Sequence, residues 1–342
     1  MIRRSLARRS LLGLAAAGIA LGATLGALPA RAEGLLRISQ QFGTLYTPFH
    51  VMKDQGLIEK HGKALGIDIK VEWTRLSGGA AINDALLAGT IDIASAGIGP
   101  FLILWDKTRG TANEVKIVGA FGAQPNFLLT NNPNVKTIAD FTEKDRVATP
   151  AAGVSVQARI LQMAAEQAFG PGNARKLDNL MVTLPHPDAT AALIAGGTEI
   201  TAHLSNPPFQ NQALKDPKVH KVLSSYDVLG GPATPTVAYA TVKFRAENPK
   251  TYKAFVDAFN EATKWVEANK KEAAAIYVKV EQSRLDPAFI AEVLSDPEVQ
   301  YTTVPLGTLK FADFLNRIGA IKAKPTSWKE FTFEDLHAAS GS

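Results

Sequence analysis

The chain has 342 residues, of which 46% are hydrophobic, so it can bury a sizeable core and exceeds the usual length of one domain. Its formal charge of +5 comes from residues 1–32, which hold five arginines and no acidic residue. The remaining 32 basic residues (37 less 5) balance 32 acidic ones. This neutrality argues against nucleic-acid binding, and the absence of cysteine excludes disulfides, thiol catalysis and thiolate metal sites.

Residues 1–32 predict an export signal. Arginines lead into an apolar run over residues 11–28, and Ala30-Arg31-Ala32 forms an A-x-A cleavage site before Glu33. Arg8-Arg9 resembles the twin-arginine export motif, while the general secretory route stays open. An uncleaved membrane anchor is the alternative, weakened by four glycines within the run. We expect a mature protein cleaved after Ala32, located in the periplasm and not embedded in the membrane.

Strands and helices alternate from residue 35 onward. The hydrophobic pattern predicts strands at residues 35–40, 67–73, 91–96, 115–121 and 127–130. It predicts helices in the segments between the first four of these strands. Further along, strands are expected at 147–149, 180–184 and 219–226, with helices at 155–169 and from 187. Such alternation predicts an α/β fold with mostly parallel sheets flanked by helices.

The last third of the chain predicts helices. Apolar residues recur at helical spacing over residues 252–266, and segments 273–280, 287–294 and 309–318 are similar. We expect this tail to pack on a first lobe made of residues 33–122 and 232–342, with residues 123–231 forming a second lobe. Two crossover segments near residues 124 and 230–235 would join the lobes.

Two stretches of the chain repeat the same pattern. The first stretch is Ala85-Leu-Leu-Ala-Gly89-Thr-Ile-Asp92, followed by a Gly97-Ile-Gly99-Pro100 loop. The second stretch is Ala192-Leu-Ile-Ala-Gly196-Gly-Thr-Glu199, followed by a Ser205-Asn206-Pro207-Pro208 loop. Each predicts a helix end, a short strand and a loop that opens a new helix. Loops at the carboxyl ends of parallel strands are where α/β proteins bind ligands, so the repeat favours a cleft between two lobes.

Several ordered motifs resemble one family of transport proteins. They are Phe42-Gly43, Gly56-Leu57-Ile58-Glu59-Lys60, Val71-Glu72-Trp73, Ser77-Gly78-Gly79, 84–92, Gly97 to Pro100, Gly153-Val-Ser155, Pro187 to Ala189 and 192–208. Over residues 35–210 the chain resembles the nitrate/sulfonate/taurine-type periplasmic substrate-binding proteins of ABC transporters. It departs from them at Gly79, where proline is common, and at Glu199, where aspartate is.

The resemblance implies a two-lobed periplasmic binding protein fold of type II. It also implies that hinge closure captures a small solute, with an aliphatic sulfonate, nitrate or taurine as candidates, and that a membrane permease with its ATPase receives it. The implied protein is a monomer without catalytic activity, cofactor or metal. Two alternatives stay open: a pyrimidine-synthase-like enzyme on the same fold, although that group carries a cysteine-rich signature, and a ligand sensor for a membrane receptor.

Candidate ligand-binding residues lie where strands end and helices begin. Helix N-termini offer free N–H groups to an anion, although each loop could equally be a plain turn or cap. Asp188 could cap its helix or meet a ligand amine, and His203 could be a core histidine. The full set is Gln41, Phe42, Tyr46, Ser77, Gly78, Gly79, Gly97, Ile98, Gly99, Gly153, Ser155, Asp188, His203, Ser205 and Asn206.

No catalytic constellation is apparent in the sequence. Gly153-Val-Ser155-Val-Gln157 departs from the nucleophile elbow because Gln157 replaces its final glycine. The histidines lack metal-ligand spacing, and neither a Walker motif nor a G-x-G-x-x-G fingerprint occurs. The residues therefore favour a non-catalytic solute receptor.

Overall fold

A computed structural model of the chain describes residues 33–342. The predicted export signal, its Arg8-Arg9 motif and the Ala30-Arg31-Ala32 cleavage site lie outside the described residues. Within residues 33–342, no helix combines the length and apolar character needed to cross a membrane.

The strands follow the predicted order closely, and three of them, at 35–40, 127–130 and 147–149, have the predicted bounds. The strands of the described chain are β1 (Leu35–Gln40), β2 (Lys70–Arg75), β3 (Ala94–Gly97), β4 (Val115–Ala120), β5 (Phe127–Thr130), β6 (Val147–Thr149), β7 (Met181–Thr183), β8 (Ala202–Leu204), β9 (His220–Ser224) and β10 (Thr236–Thr241).

The helices alternate with the strands up to β10 and then dominate the chain. They are α1 (Thr47–Gln55), α2 (Leu57–Ala64), α3 (Gly79–Leu87), α4 (Ile98–Thr108), α5 (Val156–Phe169), α6 (His186–Ala195), α7 (Phe209–Ala213), α8 (Ser225–Leu229), α9 (Val242–Glu247), α10 (Pro249–Ala268), α11 (Lys270–Glu281), α12 (Pro287–Leu294) and α13 (Thr308–Arg317).

The strands form two groups with the same topology. In the first group, β2 pairs with β1, and β3-β10-β4 form a three-stranded sheet; an isolated parallel bridge between Ile38 and Ile93 joins the two. The second group is a continuous sheet of order β7-β6-β8-β5-β9. We call these the first and the second sheet.

Each sheet is mixed, whereas the sequence predicted mostly parallel sheets. In the second sheet β6 runs parallel to β7 and β8, and β5 runs antiparallel to β8 and β9. In the first sheet β10 takes the place of β5 and runs antiparallel to β3 and β4. In both cases the antiparallel strand directly follows a segment that crosses from the other sheet.

The two crossing segments, residues 121–126 and 225–235, lie side by side. The backbone N–H of Asn126 donates to the Ser225 hydroxyl at 2.9 Å, and the Ser225 N–H donates to the Asn126 carbonyl at 2.8 Å. The second crossing brings in β10, which the sequence analysis missed when it predicted only helices beyond residue 235.

Apolar packing connects the elements into one compact unit over residues 33–342. The largest core cluster takes Phe101 and Trp105 from α4, Ile160 from α5, and Phe311 from α13. A second cluster surrounds Phe49 and includes α10 and α11. The tail thus packs on helices attached to the first sheet, because its apolar faces need a partner surface.

Candidate functional site

A small cavity lies where the helices of both sheets begin. Its volume is about 30 Å³, enough for about two water molecules. We divide its lining into a first wall, attached to the first sheet, and a second wall, attached to the second sheet. The first wall is Gln41, Phe42, Tyr46, Gly78, Gly79, Gly97, Pro100 and Thr236; the second is Pro150, Ser155, Val156, Gln157, His186 and Asn206.

Two helices of the first wall begin at glycines that line the cavity. Gly78 is the N-cap of α3 and Gly97 is the N-cap of α4, so both helices begin at the cavity. Gly78 has a φ of 86°, a conformation that glycine adopts without a steric penalty. A Cβ on Gly79 would lie 2.4 Å from Cγ of Pro100, which shows how tightly these two helix starts pack.

Polar side chains dominate the second wall. Ser155 is the N-cap of α5, as predicted, and its hydroxyl accepts from the Ala158 N–H at 3.1 Å. Gln157 follows in the first turn of α5, and His186 is the first residue of α6. Two further helices therefore begin at the cavity, with a serine, an amide and an imidazole at their starts.

The two walls touch each other through glycines. A Cβ on Gly97 would lie 3.0 Å from Cβ of Val156, and one on Gly78 would lie 3.3 Å from the Pro150 carbonyl oxygen. Contacts this short are tighter than ordinary van der Waals separations. A side chain at either glycine would therefore push the two walls apart by a few tenths of an ångström.

Asn206 links the walls and leaves one polar atom unsatisfied. Its Nδ2 donates to the Phe42 carbonyl at 3.2 Å, while its Oδ1 is buried without a hydrogen-bond partner among the described residues. The Thr44 N–H also donates to the Pro207 carbonyl at 2.9 Å. A buried acceptor without a partner is costly, and a ligand donor in the cavity would satisfy it.

None of the described residues that line the cavity is Arg, Lys, Asp or Glu. The Arg75 guanidinium lies over the Phe42 ring at 4.7 Å, but its charge is paired with Glu281, which also lies 2.8 Å from His50. Burial opposes ionisation of Glu281, yet hydrogen bonds from His50 and Arg75 lower its pKa to about 2. The positive ends of four helix dipoles therefore act on a cavity without formal charge.

A pair of buried histidines forms the back of the second wall. His186 Nδ1 lies 2.8 Å from His203 Nε2, and the Phe209 ring stacks on His186 with centroids 5.9 Å apart. Burial lowers the pKa of His186 to about 3 and, together with the neighbouring His186, lowers the pKa of His203 well below its ordinary value. Both rings are therefore neutral at pH 7.

Eight of the fifteen predicted site residues line this cavity. The first wall contains six of the predicted positions and the second wall contains two. By number they are Gln41, Phe42, Tyr46, Gly78, Gly79, Gly97, Ser155 and Asn206.

The other seven predicted residues are not on the cavity walls. Ser77 and Asp188 are exposed, and Gly153 has no heavy atom within 4 Å of a built Cβ. The remaining four are buried behind the lining: Ile98 in the core, Gly99 against Arg159, His203 against His186, and Ser205 with its N–H on the Phe127 carbonyl.

Six lining residues were missed by the sequence analysis. Val156 and Gln157 follow the predicted Ser155, so the first turn of that helix was the available signal. His186 precedes the predicted Pro187-Asp188 helix start by one residue. Thr236 begins the missed strand β10, and Pro100 and Pro150 gave no signal beyond their loop positions.

In the part of the chain that the structure describes, no group of three or more His, Asp or Glu is placed to hold a metal ion. Comparison with family descriptions matches residues 36–280 to the NMT1-like family. The chain belongs to the NMT1-like family. Comparison with curated protein sequences gives no match.

Three solved structures that are similar to this NMT1-like chain are binding proteins. The alkanesulfonate-binding protein SsuA from Xanthomonas axonopodis pv. citri, bound to MOPS, is 18% identical with a TM-score of 0.66, covering 86% of this chain and 96% of that one. The periplasmic nitrate-binding protein NrtA from Synechocystis PCC 6803 is 17% identical with a TM-score of 0.69, covering 90% and 88%. The periplasmic aliphatic sulphonate-binding protein SsuA from Escherichia coli is 20% identical with a TM-score of 0.64, covering 90% and 100%.

These similarities confirm the predicted fold and the predicted resemblance. The NMT1-like chain has the α/β periplasmic binding protein fold, and its structural neighbours include sulfonate- and nitrate-binding proteins. At identities of 20% or less they establish the fold of this chain, while its solute depends on the cavity.

Proposed function

We propose that this chain is an extracytoplasmic solute-binding receptor of an ABC importer and has no catalytic activity. It captures a small anionic or zwitterionic solute, such as nitrate, a small sulfonate or taurine, and delivers it to a membrane permease with an associated ATPase. Residues 1–32 direct it to the periplasm and are removed after Ala32. The observation that carries the proposal is the convergence of four helix N-termini on one uncharged cavity.

The helix ends supply part of the binding energy. Each contributes about 0.3–1 kcal/mol to an anion, and about 2 kcal/mol when partly buried, so four give roughly 1–8 kcal/mol. Micromolar affinity needs about 8 kcal/mol. Hydrogen bonds from Ser155, Gln157 and His186 must supply the remainder, because the lining holds no formal charge.

The unpaired Asn206 Oδ1 favours a ligand that also carries a donor. An ammonium or amino group beside it would satisfy this acceptor, while the acidic group meets the helix ends. This arrangement supports a zwitterion such as taurine in addition to simple anions.

The small volume and the glycine contacts support closure around the solute. A cavity of about 30 Å³ is far below the roughly 300–1,000 Å³ of open ligand pockets. We therefore propose that the described conformation is the closed one and that residues 33–122 with 232–342 and residues 123–231 move as two lobes. Bending at the paired crossing segments, residues 121–126 and 225–235, would open the cavity.

A thermal-unfolding screen tests the proposal. The mature chain is heated in Tris with nitrate, methanesulfonate, taurine or uncharged solutes of similar size, without sulfonate buffers that could themselves bind. A ligand at 100 times its Kd stabilises by about 2.7 kcal/mol, which raises the melting temperature by several degrees. Stabilisation by uncharged solutes alone would refute anion capture.

Two further measurements separate the alternatives left open by the sequence. Loss of solute uptake on deletion supports transport, whereas loss of a signalling response alone supports a sensor. Conversion of a solute by the purified protein supports an enzyme.

A further inference from the structure

The buried pair of His186 and His203 is a chain of hydrogen-bonding atoms that ends at the cavity. His186 Nε2 lies 3.4 Å from Gln157 Nε2 on the cavity side, and His186 Nδ1 lies 2.8 Å from His203 Nε2. At the far end, His203 Nδ1 lies 3.4 Å from the Thr190 hydroxyl. His186 is 5% exposed and His203 is fully buried, so water does not separate these atoms.

The number of protons on the two histidine rings determines whether His186 offers the cavity a hydrogen-bond donor or an acceptor. Two neutral imidazoles carry two protons on four ring nitrogens, and one proton occupies the short Nδ1–Nε2 contact. The second proton then lies either on His186 Nε2, at the cavity, or on His203 Nδ1, at Thr190. A third proton fills both ends, so that His186 donates into the cavity and His203 donates to the Thr190 hydroxyl.

Charged groups do not pair with either ring in the described structure. On α5, Arg159 donates to Gln162 at 2.8 Å, and on α6 the Asp188 carboxylate is exposed. The Phe42 ring separates Arg75 from Phe209, which stacks on His186. The strands β5 and β6 beside β8 present no titratable side chain.

His186 is the one residue of the described lining that becomes cationic by gaining a proton. Tyr46, the other titratable lining residue, becomes negative on ionisation, and burial raises its pKa. An anion enclosed here without a counter-charge would meet the high cost of a buried unpaired charge. The dyad can remove that cost by binding a proton from solvent.

We propose that the cavity takes up its anion together with one proton, which His186 and His203 share, and that His186 Nε2 becomes a cationic donor to the anion. His186 is the ligand-contacting residue, and His203 is a positioning residue that accepts the shared proton. This inference rests on the proposed capture of an anion. The step forms one N–H bond on the dyad, breaks the O–H bond that held the proton in solvent, and involves no oxidation or reduction.

Coupled uptake makes affinity depend on pH. The empty dyad is neutral because burial holds the pKa of His186 near 3, and the bound anion raises the pKa of the dyad. Between these two pKa values each unit fall in pH tightens binding up to about tenfold. Above the pKa of the loaded dyad the affinity no longer changes with pH.

A direct proton count tests the proposal. Nitrate or methanesulfonate is added to the unbuffered mature protein in a pH-stat, and the acid needed to hold the pH is compared with the anion bound. We expect uptake approaching about one proton per anion as the pH falls below the pKa of the loaded dyad. The variant His203→Gln should bind the anion more weakly and take up little or no proton.

The matched control is His220→Gln, which changes a histidine of the second sheet that bonds to the Val135 carbonyl at 2.7 Å, away from the cavity. Its proton count should equal that of the unmodified protein. Anion binding without proton uptake at any pH from 5 to 8 would overturn this inference and leave the proposed function standing. Binding of uncharged solutes only would overturn both.

Discussion

The helix starts on the two walls of the cavity present different groups, backbone on the first wall and side chains on the second. On the first wall Gly78, Gly79 and Gly97 offer backbone at two helix starts, and on the second wall Ser155, Gln157 and His186 offer side chains at two others. Backbone N–H groups attract any anion, whereas side chains differ in reach and in the balance of donors and acceptors. The comparison teaches that the helix starts of both walls share the attraction, whereas among these helix starts the second wall supplies the side chains that can discriminate among solutes.

The largest expected effect on anion binding comes from a negative charge added to the second wall. Two like charges about 4 Å apart repel by about 4 kcal/mol at an effective dielectric constant near 20, so Gln157→Glu should weaken anion binding by roughly 1,000-fold. Calorimetric titration measures this loss. The control Gln167→Glu makes the same change at an exposed position of α5 and should bind normally. Equal affinity of both variants would place the anion elsewhere.

Acid should destabilise the fold through the two buried histidines of the second wall. The folded pKa of His186, near 3, lies below its unfolded value of 6.5, and the pKa of His203 is lowered as well, so the unfolded chain binds more protons. The free energy of unfolding should therefore fall below pH 6.5 by up to about 1.4 kcal/mol per pH unit for each histidine.

Denaturant unfolding at several pH values measures this slope in the protein without ligand. His203→Gln should reduce the slope by up to about 1.4 kcal/mol per pH unit, while buried His50, whose pKa burial also lowers, keeps its own contribution. Glu281 acts in a separate window, because its lowered pKa of about 2 adds stability that is lost only as the pH falls from 4.5 toward 2. A slope that His203→Gln does not alter would contradict the neutral state of the pair.

A methyl group on the first wall should keep the walls apart. Gly97 has a φ of −58°, so Gly97→Ala adds no backbone strain, but its Cβ would lie 3.0 Å from Val156 Cβ. We expect affinity to fall about tenfold, equivalent to about 1.4 kcal/mol, with little change in melting temperature. The double variant with Val156→Ala should recover most of the affinity, and additive losses would show that the contact is unimportant.

The smallest expected effect is loss of a helix cap. Ser155→Ala removes the acceptor of the Ala158 N–H and should lower the free energy of unfolding by about 1 kcal/mol. It also removes one hydroxyl from the second wall and should weaken solute binding by a few-fold. Denaturant unfolding and calorimetry measure the two effects, and a full loss of binding would assign Ser155 a larger role than capping.

The sequence predicted the first wall better than the second for a physical reason. Glycine and serine at the ends of alternating strands mark helix starts, and strands such as β5 have sharp hydrophobic patterns. Gln157 and His186 are ordinary residues of helical first turns, and only the packing of two helices brings them to one cavity. His203 follows the same logic, because its strand was predicted but its partner 17 residues earlier was not.

The missed strand β10 shows the limit of local patterns. Residues Thr236–Thr241 follow a Gly/Pro-rich connector and precede a long helical tail, so the segment resembled the entry to that tail. Its residues 237–240 are fully buried between β3 and β4, which contribute from more than a hundred residues earlier. A pairing partner so distant in the chain leaves little trace in a short window of sequence.

The glycines of the first wall also guide any attempt to redesign this receptor. Because a side chain there would press on the opposite wall or on the neighbouring helix start, variation at these glycines should change how closely the two halves meet more than what they recognise. A library aimed at a different solute should therefore vary Gln157, His186 and Asn206 and keep Gly78, Gly79 and Gly97. A sensor designed in this way for a new small molecule would keep the same closing movement.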